Sequence, residues 1–128
     1  MSVHEASNLT INHPLSGESM TGADIVVQVL ADEHVDTIFG YSGGAILPTY
    51  DAVFRYNYRH TKDDQNSPLA LIVPANEQGA GFMAAGYARA SGQVGVVMVT
   101  SGPGATNTVT PVRDCMADSI PIVVICGQ

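Results

Sequence analysis

LALIVPANEQGAGFMAAGYARASGQVGVVMVTSGPGATN, residues Leu69 to Asn107, sets two apolar runs on either side of a stretch built from alanine and glycine. The runs Leu69–Val73 and Val94–Thr100 are continuous rather than alternating, which a strand buried on both faces of a parallel sheet requires. Between them, a helix opens at Glu77, and a glycine loop, Ser101–Asn107, follows the second strand. Working outward, Val35–Phe39 predicts another strand and Pro121–Cys126 a fourth. Thr21 with Asp24 resembles a capping box, with Asp in place of Glu, ahead of the apolar-periodic IVVQVLADEH. The loop Gly40–Gly44 feeds a second helix that tolerates Pro48 in its first turn. Polar residues 57–68 read as a loop, and the last helix runs through Asp114. Four strands alternating with four helices predict an α/β fold, a parallel sheet with helices on both faces. The chain stops at Cys126-Gly127-Gln128, where a crossover helix would continue such a unit, so the domain is expected to be incomplete at its C-terminus.

At 128 residues, 45% of them hydrophobic, the chain can bury one core. We expect a flexible arm over residues 1–20 and one partial domain over 21–128. Five Lys and Arg against twelve Asp and Glu give a net charge of -7, which speaks against a nucleic-acid partner. No apolar run approaches the ~20 residues that span a bilayer, and residues 1–20 lack the pattern of a secretion or transit signal. The expected compartment is the cytoplasm. Cys115 and Cys126 form no C-x-x-C motif and read as small buried thiols; no metal site is expected in this chain.

In a parallel α/β sheet, ligands lie beyond the carboxyl ends of the strands. Three loops fall there: Tyr41–Gly44, Pro74–Glu77 and Ser101–Asn107. The last has the strand-loop-helix context of a phosphate site, yet Asn107 occupies the third small position of G-x-G-x-x-G, no G-K-[ST] follows, and Pro103 removes an amide. A tight turn against the sheet explains its glycines equally well. Glu77, a carboxylate at a helix start with no evident partner, is stabilised there by roughly 0.3–1 kcal/mol whatever else it does. The small residues behind it fit tight helix packing as well as a bound ring. The residues alone leave both readings open.

Taken together, FGYSGGAILPTYDA, NEQGAGFMAAGYARASG and GVVMVTSGPGATNTVTPVRDCMADSIPIVVICGQ resemble the N-terminal, pyrimidine-binding domain of thiamine-diphosphate enzymes, most closely the large catalytic subunit of acetolactate synthases, over residues 21–128. The resemblance implies a catalytic, cofactor-binding role for Glu77, the acid of the family's H-E-Q-G-A motif, which hydrogen-bonds N1′ of the cofactor's aminopyrimidine and relays the proton that activates it. Such a role needs a carboxyl able to share a proton, on which apolar burial and a helix N-terminus act in opposite senses. Pro103 and Asn107 match the loop lining the aminopyrimidine. Tyr41, Gly43, Gly44 and Ala45 match the loop near the reacting centre, and Gln78 a structural or interfacial position. Two residues depart from the pattern: Asn76 stands where the family shows His, and Ser42 where it shows Pro.

The resemblance further implies condensation of pyruvate with a second 2-keto acid to 2-acetolactate or 2-aceto-2-hydroxybutyrate, with CO2 release, in branched-chain amino-acid synthesis. It implies thiamine diphosphate as cofactor, with Mg2+ and FAD bound by domains outside this chain. It also implies a homodimer or higher oligomer with the cofactor at the subunit interface, and a regulatory small subunit. Alone, the chain is expected to be inactive. The alternatives are the pyrimidine-domain subunit of a two-chain 2-keto-acid decarboxylase, or a non-catalytic interaction module.

Overall fold

The computed structural model describes residues 13–60 and 68–128. Its centre is a four-stranded parallel sheet in the order β2-β1-β3-β4, from strands Thr37–Tyr41 (β1), Ala70–Ile72 (β2), Gly95–Val99 (β3) and Ile122–Cys126 (β4). Helices Gly22–Asp32 (α1) and Leu47–His60 (α2) cover one face. Glu77–Ser91 (α3) and Val109–Asp118 (α5) lie on the other side, with the single turn Pro103–Thr106 (α4) between β3 and α5.

β3 is buried along its whole length and divides its side chains between two cores. Val96 and Met98 join Val27, Leu30, Ile38, Ile46 and Val53 beneath α1 and α2. Val97 and Val99 join Phe39, Ala80 and Ala84 beneath α3. A helix can come this close to the sheet only where both surfaces are small. A Cβ on Gly95 would collide with the Ala84 carbonyl, and one on Gly81 with the Pro111 ring of α5. The buried small residues behind Glu77, Ala80, Gly81, Ala84, Ala85 and Ala88, therefore pack within the chain itself, while Gly86 and Ala90 stay exposed.

The parallel sheet and its covering helices agree with the sequence reading, while several boundaries move. β1 starts two residues later than expected and takes in Gly40 and Tyr41, which the sequence had assigned to a loop. Val35 is diverted because its N–H closes the end of α1 on the Leu30 carbonyl, 2.9 Å, just after His34 turns at φ +60°. α2 runs on through His60, into the expected loop 57–68, and the Asn57 amide grips Leu69 by donating to its carbonyl and accepting from its N–H; residues 61–67 lie outside the described residues. β2 and β4 are half-exposed edge strands rather than strands buried on both faces. The expected glycine loop Ser101–Asn107 itself contains a helical turn, α4, and the last expected helix, α5, extends past Asp114 to Asp118, where Ser119 turns at φ +56°. Cys115 is buried, which pushes its thiol pKa up, whereas Cys126 is exposed at the end of edge strand β4.

Of the arm expected over residues 1–20, the first twelve lie outside the described residues; the rest turn back onto α1, where His13 meets Asp32 at 3.0 Å. Among the described residues, no helix is long and apolar enough to cross a membrane.

At the start of α1, Thr21 forms half of a capping box. Its hydroxyl accepts from the Asp24 N–H, 3.1 Å, and donates to the Asp24 carboxylate, 2.6 Å, which Arg55 of α2 also meets at 2.8 Å. The Thr21 hydroxyl and then Arg55 hold the Asp24 carboxyl at about 2, below its ordinary value of 3.8. A depressed carboxyl stabilises the fold fully above its unfolded pKa and loses that contribution as pH falls through its folded one. Asp24→Asn is therefore expected to lower Tm at pH 6, and the gap to the parent protein should close as pH falls from about 4 toward 2. A gap constant with pH in thermal melts would show that the carboxylate is not what holds this corner.

Candidate functional site

The chain order β1, β2, then β3 on the opposite side of β1 makes the β1/β3 boundary the place where successive connections diverge, the position at which a crevice opens in such sheets. The loops after β1 and β3 meet there, and α3, crossing from β2 to β3, brings its first residue alongside.

That residue is Glu77, only 8% exposed. It sits where it does because Asn76 caps the helix, its side-chain oxygen accepting from the Gly79 N–H at 2.8 Å. The Asn that departs from the expected His is thus a good helix starter in its own right. Glu77 has a partner: Asn107 Nδ2 donates to its Oε2 at 2.9 Å. Asn107 stands at the break between α4 and α5, thirty residues away in sequence. The other carboxylate oxygen, Oε1, lies 3.7 Å from where a Cβ on Gly104 would stand. The charge of Glu77 is also felt at Tyr50, whose phenol is pushed up to about 12, first by burial and then by this carboxylate.

The β1 loop is fixed by a residue that the sequence reading passed over. Thr100, at the end of the β3 run, accepts from the Ala45 N–H through Oγ1 at 3.3 Å, and its side chain fills the space beside Gly43 and Gly104. Gly44 has open space where a side chain would be. Tyr41 is exposed at the end of β1, Pro103 is exposed in the first turn of α4, and Gln78 is exposed on α3. The structure therefore unites Glu77 and Asn107 directly, joins Gly43 and Ala45 to them through Thr100 and Gly104, and leaves Tyr41 and Pro103 at the rim. Thr100 could have been suspected from sequence, as a hydroxyl-bearing residue closing an apolar strand before a glycine loop.

Chemically, the arrangement offers a buried carboxylate with one oxygen held by an amide donor and the other bordered by a glycine, at a helix N-terminus and beside two glycine-bearing loops. It suits a group that shares a proton with a flat, polar-edged ligand.

A family model described as the thiamine pyrophosphate enzyme, N-terminal TPP binding domain, matches residues 20–128. The chain is 55% identical over 109 residues to the mitochondrial acetolactate synthase catalytic subunit of Saccharomyces cerevisiae, covering 85% of this chain and 14% of that protein. It is 48% identical over 111 residues to an acetolactate synthase of Mycobacterium bovis, covering 87% of this chain and 16% of that protein. Against the acetolactate synthase large subunit of Corynebacterium glutamicum the identity is 47% over 111 residues, with the same coverage of 87% and 16%. The chain thus spans about a sixth or less of the length of these relatives.

Proposed function

Because the chain belongs to the thiamine pyrophosphate enzymes, as their N-terminal TPP-binding domain, we propose that it is the opening part of an acetolactate synthase catalytic subunit. The proposed reaction joins pyruvate to a second 2-keto acid, giving 2-acetolactate or 2-aceto-2-hydroxybutyrate and CO2. The observation that carries the proposal is the buried Glu77 carboxylate held by the Asn107 amide, in a chain 47–55% identical to acetolactate synthases of three genera.

The residues present fit the pyrimidine end of the cofactor. Glu77 supplies a carboxylate that is nearly out of water, and Gly104 keeps the approach to its Oε1 uncrowded. Thiamine diphosphate, when bound, supplies a carbon nucleophile for the keto group of pyruvate. Glu77 holds and returns a proton through its carboxylate at the pyrimidine N1′. Asn107 keeps Oε2 engaged and so orients the carboxyl plane. Pro103, exposed in the first turn of α4, would line the ring. The Gly43–Ala45 loop, with Tyr41, would border the reacting carbon, where small residues would leave a path for the keto acid. Mg2+ and FAD belong to parts of the protein beyond these residues.

A second copy of the subunit is the proposed cover for the outer side of α3 and α5, where Phe82, Met83, Val109, Val112 and Met116 are all exposed. Two unpaired thiols, Cys115 and Cys126, favour the cytoplasm, although the yeast relative is mitochondrial.

The test is to read the coding sequence past the Gln128 codon and assay its complete product with thiamine diphosphate, Mg2+ and pyruvate. An in-frame continuation to a G-D-G…N-N segment and formation of acetolactate are expected; a complete product that leaves pyruvate untouched overturns the proposal.

A further inference from the structure

One side chain, at the end of β3, reaches a loop 55 residues before it as well as the loop that follows it. Thr100 Oγ1 accepts from the Ala45 N–H at 3.3 Å. Its methyl and Cβ are pressed against Gly43, where an added Cβ would stand 2.5–2.6 Å from them, and the methyl also reaches Gly104, where the distance would be 2.8 Å. Both loops have thus given up their side chains where they meet Thr100. The far side of the Ala45 peptide is closed by Gly127: its N–H donates to the Val99 carbonyl at 2.9 Å, and a Cβ there would stand 2.6 Å from the Ala45 carbonyl carbon. Ala45 is held between a hydroxyl and a strand end, while the place of a Cβ on Gly104 is bordered by both the Thr100 methyl and Glu77 Oε1.

We propose that Thr100 is the positioning residue that sets the spacing between the Gly43–Ala45 loop and the Glu77–Asn107 pair. Its methyl acts as the spacer and its hydroxyl as the latch. It works through Ala45 and Gly104. The inference rests on the proposed reading of Gly43–Ala45 as the border of the reacting centre.

Thr100→Val keeps the spacer and removes the latch, leaving the Ala45 N–H without its acceptor; Thr100→Ser keeps the latch and removes the spacer. In the chain itself, Thr100→Val is expected to speed hydrogen exchange at the Ala45 amide about fivefold or more, the equivalent of one neutral hydrogen bond, with the Gly127 amide unchanged. Thr100→Ser should keep Ala45 protected. In the complete subunit, Thr100→Val should raise KM for pyruvate about fivefold with kcat changed less, since the loop borders the substrate and the proton-sharing pair is intact. Parental exchange at Ala45 in Thr100→Val overturns the latch, and so does a Thr100→Ser chain that exchanges as fast as Thr100→Val. A freed Ala45 amide with an unchanged KM overturns the positioning role. Failure of the parent subunit to turn over pyruvate would instead defeat the functional reading, and the exchange data would still decide the latch.

Discussion

Glu77→Gln is expected to lower kcat of the complete subunit by about 10²–10⁴, the range over which a positioned proton-transfer group acts. The substitution nearly preserves shape. Gln keeps an oxygen that can accept from Asn107 Nδ2, so the pair seen at 2.9 Å survives as a neutral hydrogen bond. What disappears is the carboxyl proposed to take and return a proton. Helix α3 also loses a negative charge at its N-terminus, a cost of roughly 0.3–1 kcal/mol, which a thermal melt will register separately from turnover. Glu77→Asp keeps the acid but shortens its reach by one methylene, so its activity should fall between the two. Turnover of Glu77→Gln at the parental rate, with cofactor binding confirmed by titration, would remove Glu77 from the proton relay.

Gly40→Ala should damage the fold itself. Gly40 lies in β1 beside Met98 of β3, in the middle of the sheet, and a Cβ there would overlap both the Met98 carbonyl oxygen and the Tyr50 hydroxyl. Those two atoms are bonded to each other, Tyr50 donating to Met98 at 2.8 Å, and Tyr50 is 5% exposed. Neither can yield cheaply. Moving the β3 backbone disturbs a strand buried along its whole length, and moving Tyr50 strands a buried phenol and a buried carbonyl. Overpacking and the lost bond together predict a loss of about 3 kcal/mol or more, near 10 °C in Tm for a domain of this size. Gly86→Ala is the control: a Cβ there meets nothing within 4 Å, and a glycine within a helix costs about 0.5–1 kcal/mol against alanine, so this chain should gain stability. A Gly40→Ala chain melting within a few degrees of the parent would mean that the sheet can open at this point.

The parallel sheet was legible because Val96–Val99 can be apolar on both faces only where both are covered. At β2 and β4 the same rule overstated burial: Ile72 is 42% and Val123 45% exposed, since an edge strand owes its apolar residues to neighbours these residues do not supply. The start of β1 was misjudged because the commitment of Val35 to the end of α1 is a backbone hydrogen bond, invisible to hydropathy. Glu77 was picked out by position, but its partner could not be. The pairing with Asn107 spans thirty residues and depends on where α4, a helical turn within the stretch that the sequence read as a glycine loop, breaks from α5. Asn76 looked like a loss against the family pattern and proves to be the cap that starts α3. The family resemblance supplied the chemistry, whereas the physical pattern alone supplied the place where chemistry could occur.

The grip on Ala45 also fixes an order of events during synthesis. One jaw is Thr100 and the other Gly127, so neither exists when residue 45 leaves the ribosome. At about 5–20 residues per second, Gly127 follows Ala45 by on the order of 10 s, and for that interval the loop has a backbone amide and a carbonyl face with nothing to settle against. Nascent chains halted before Thr100, between Thr100 and Gly127, and beyond Gly127 should therefore differ in this loop's susceptibility to protease, closing in two steps as each jaw arrives.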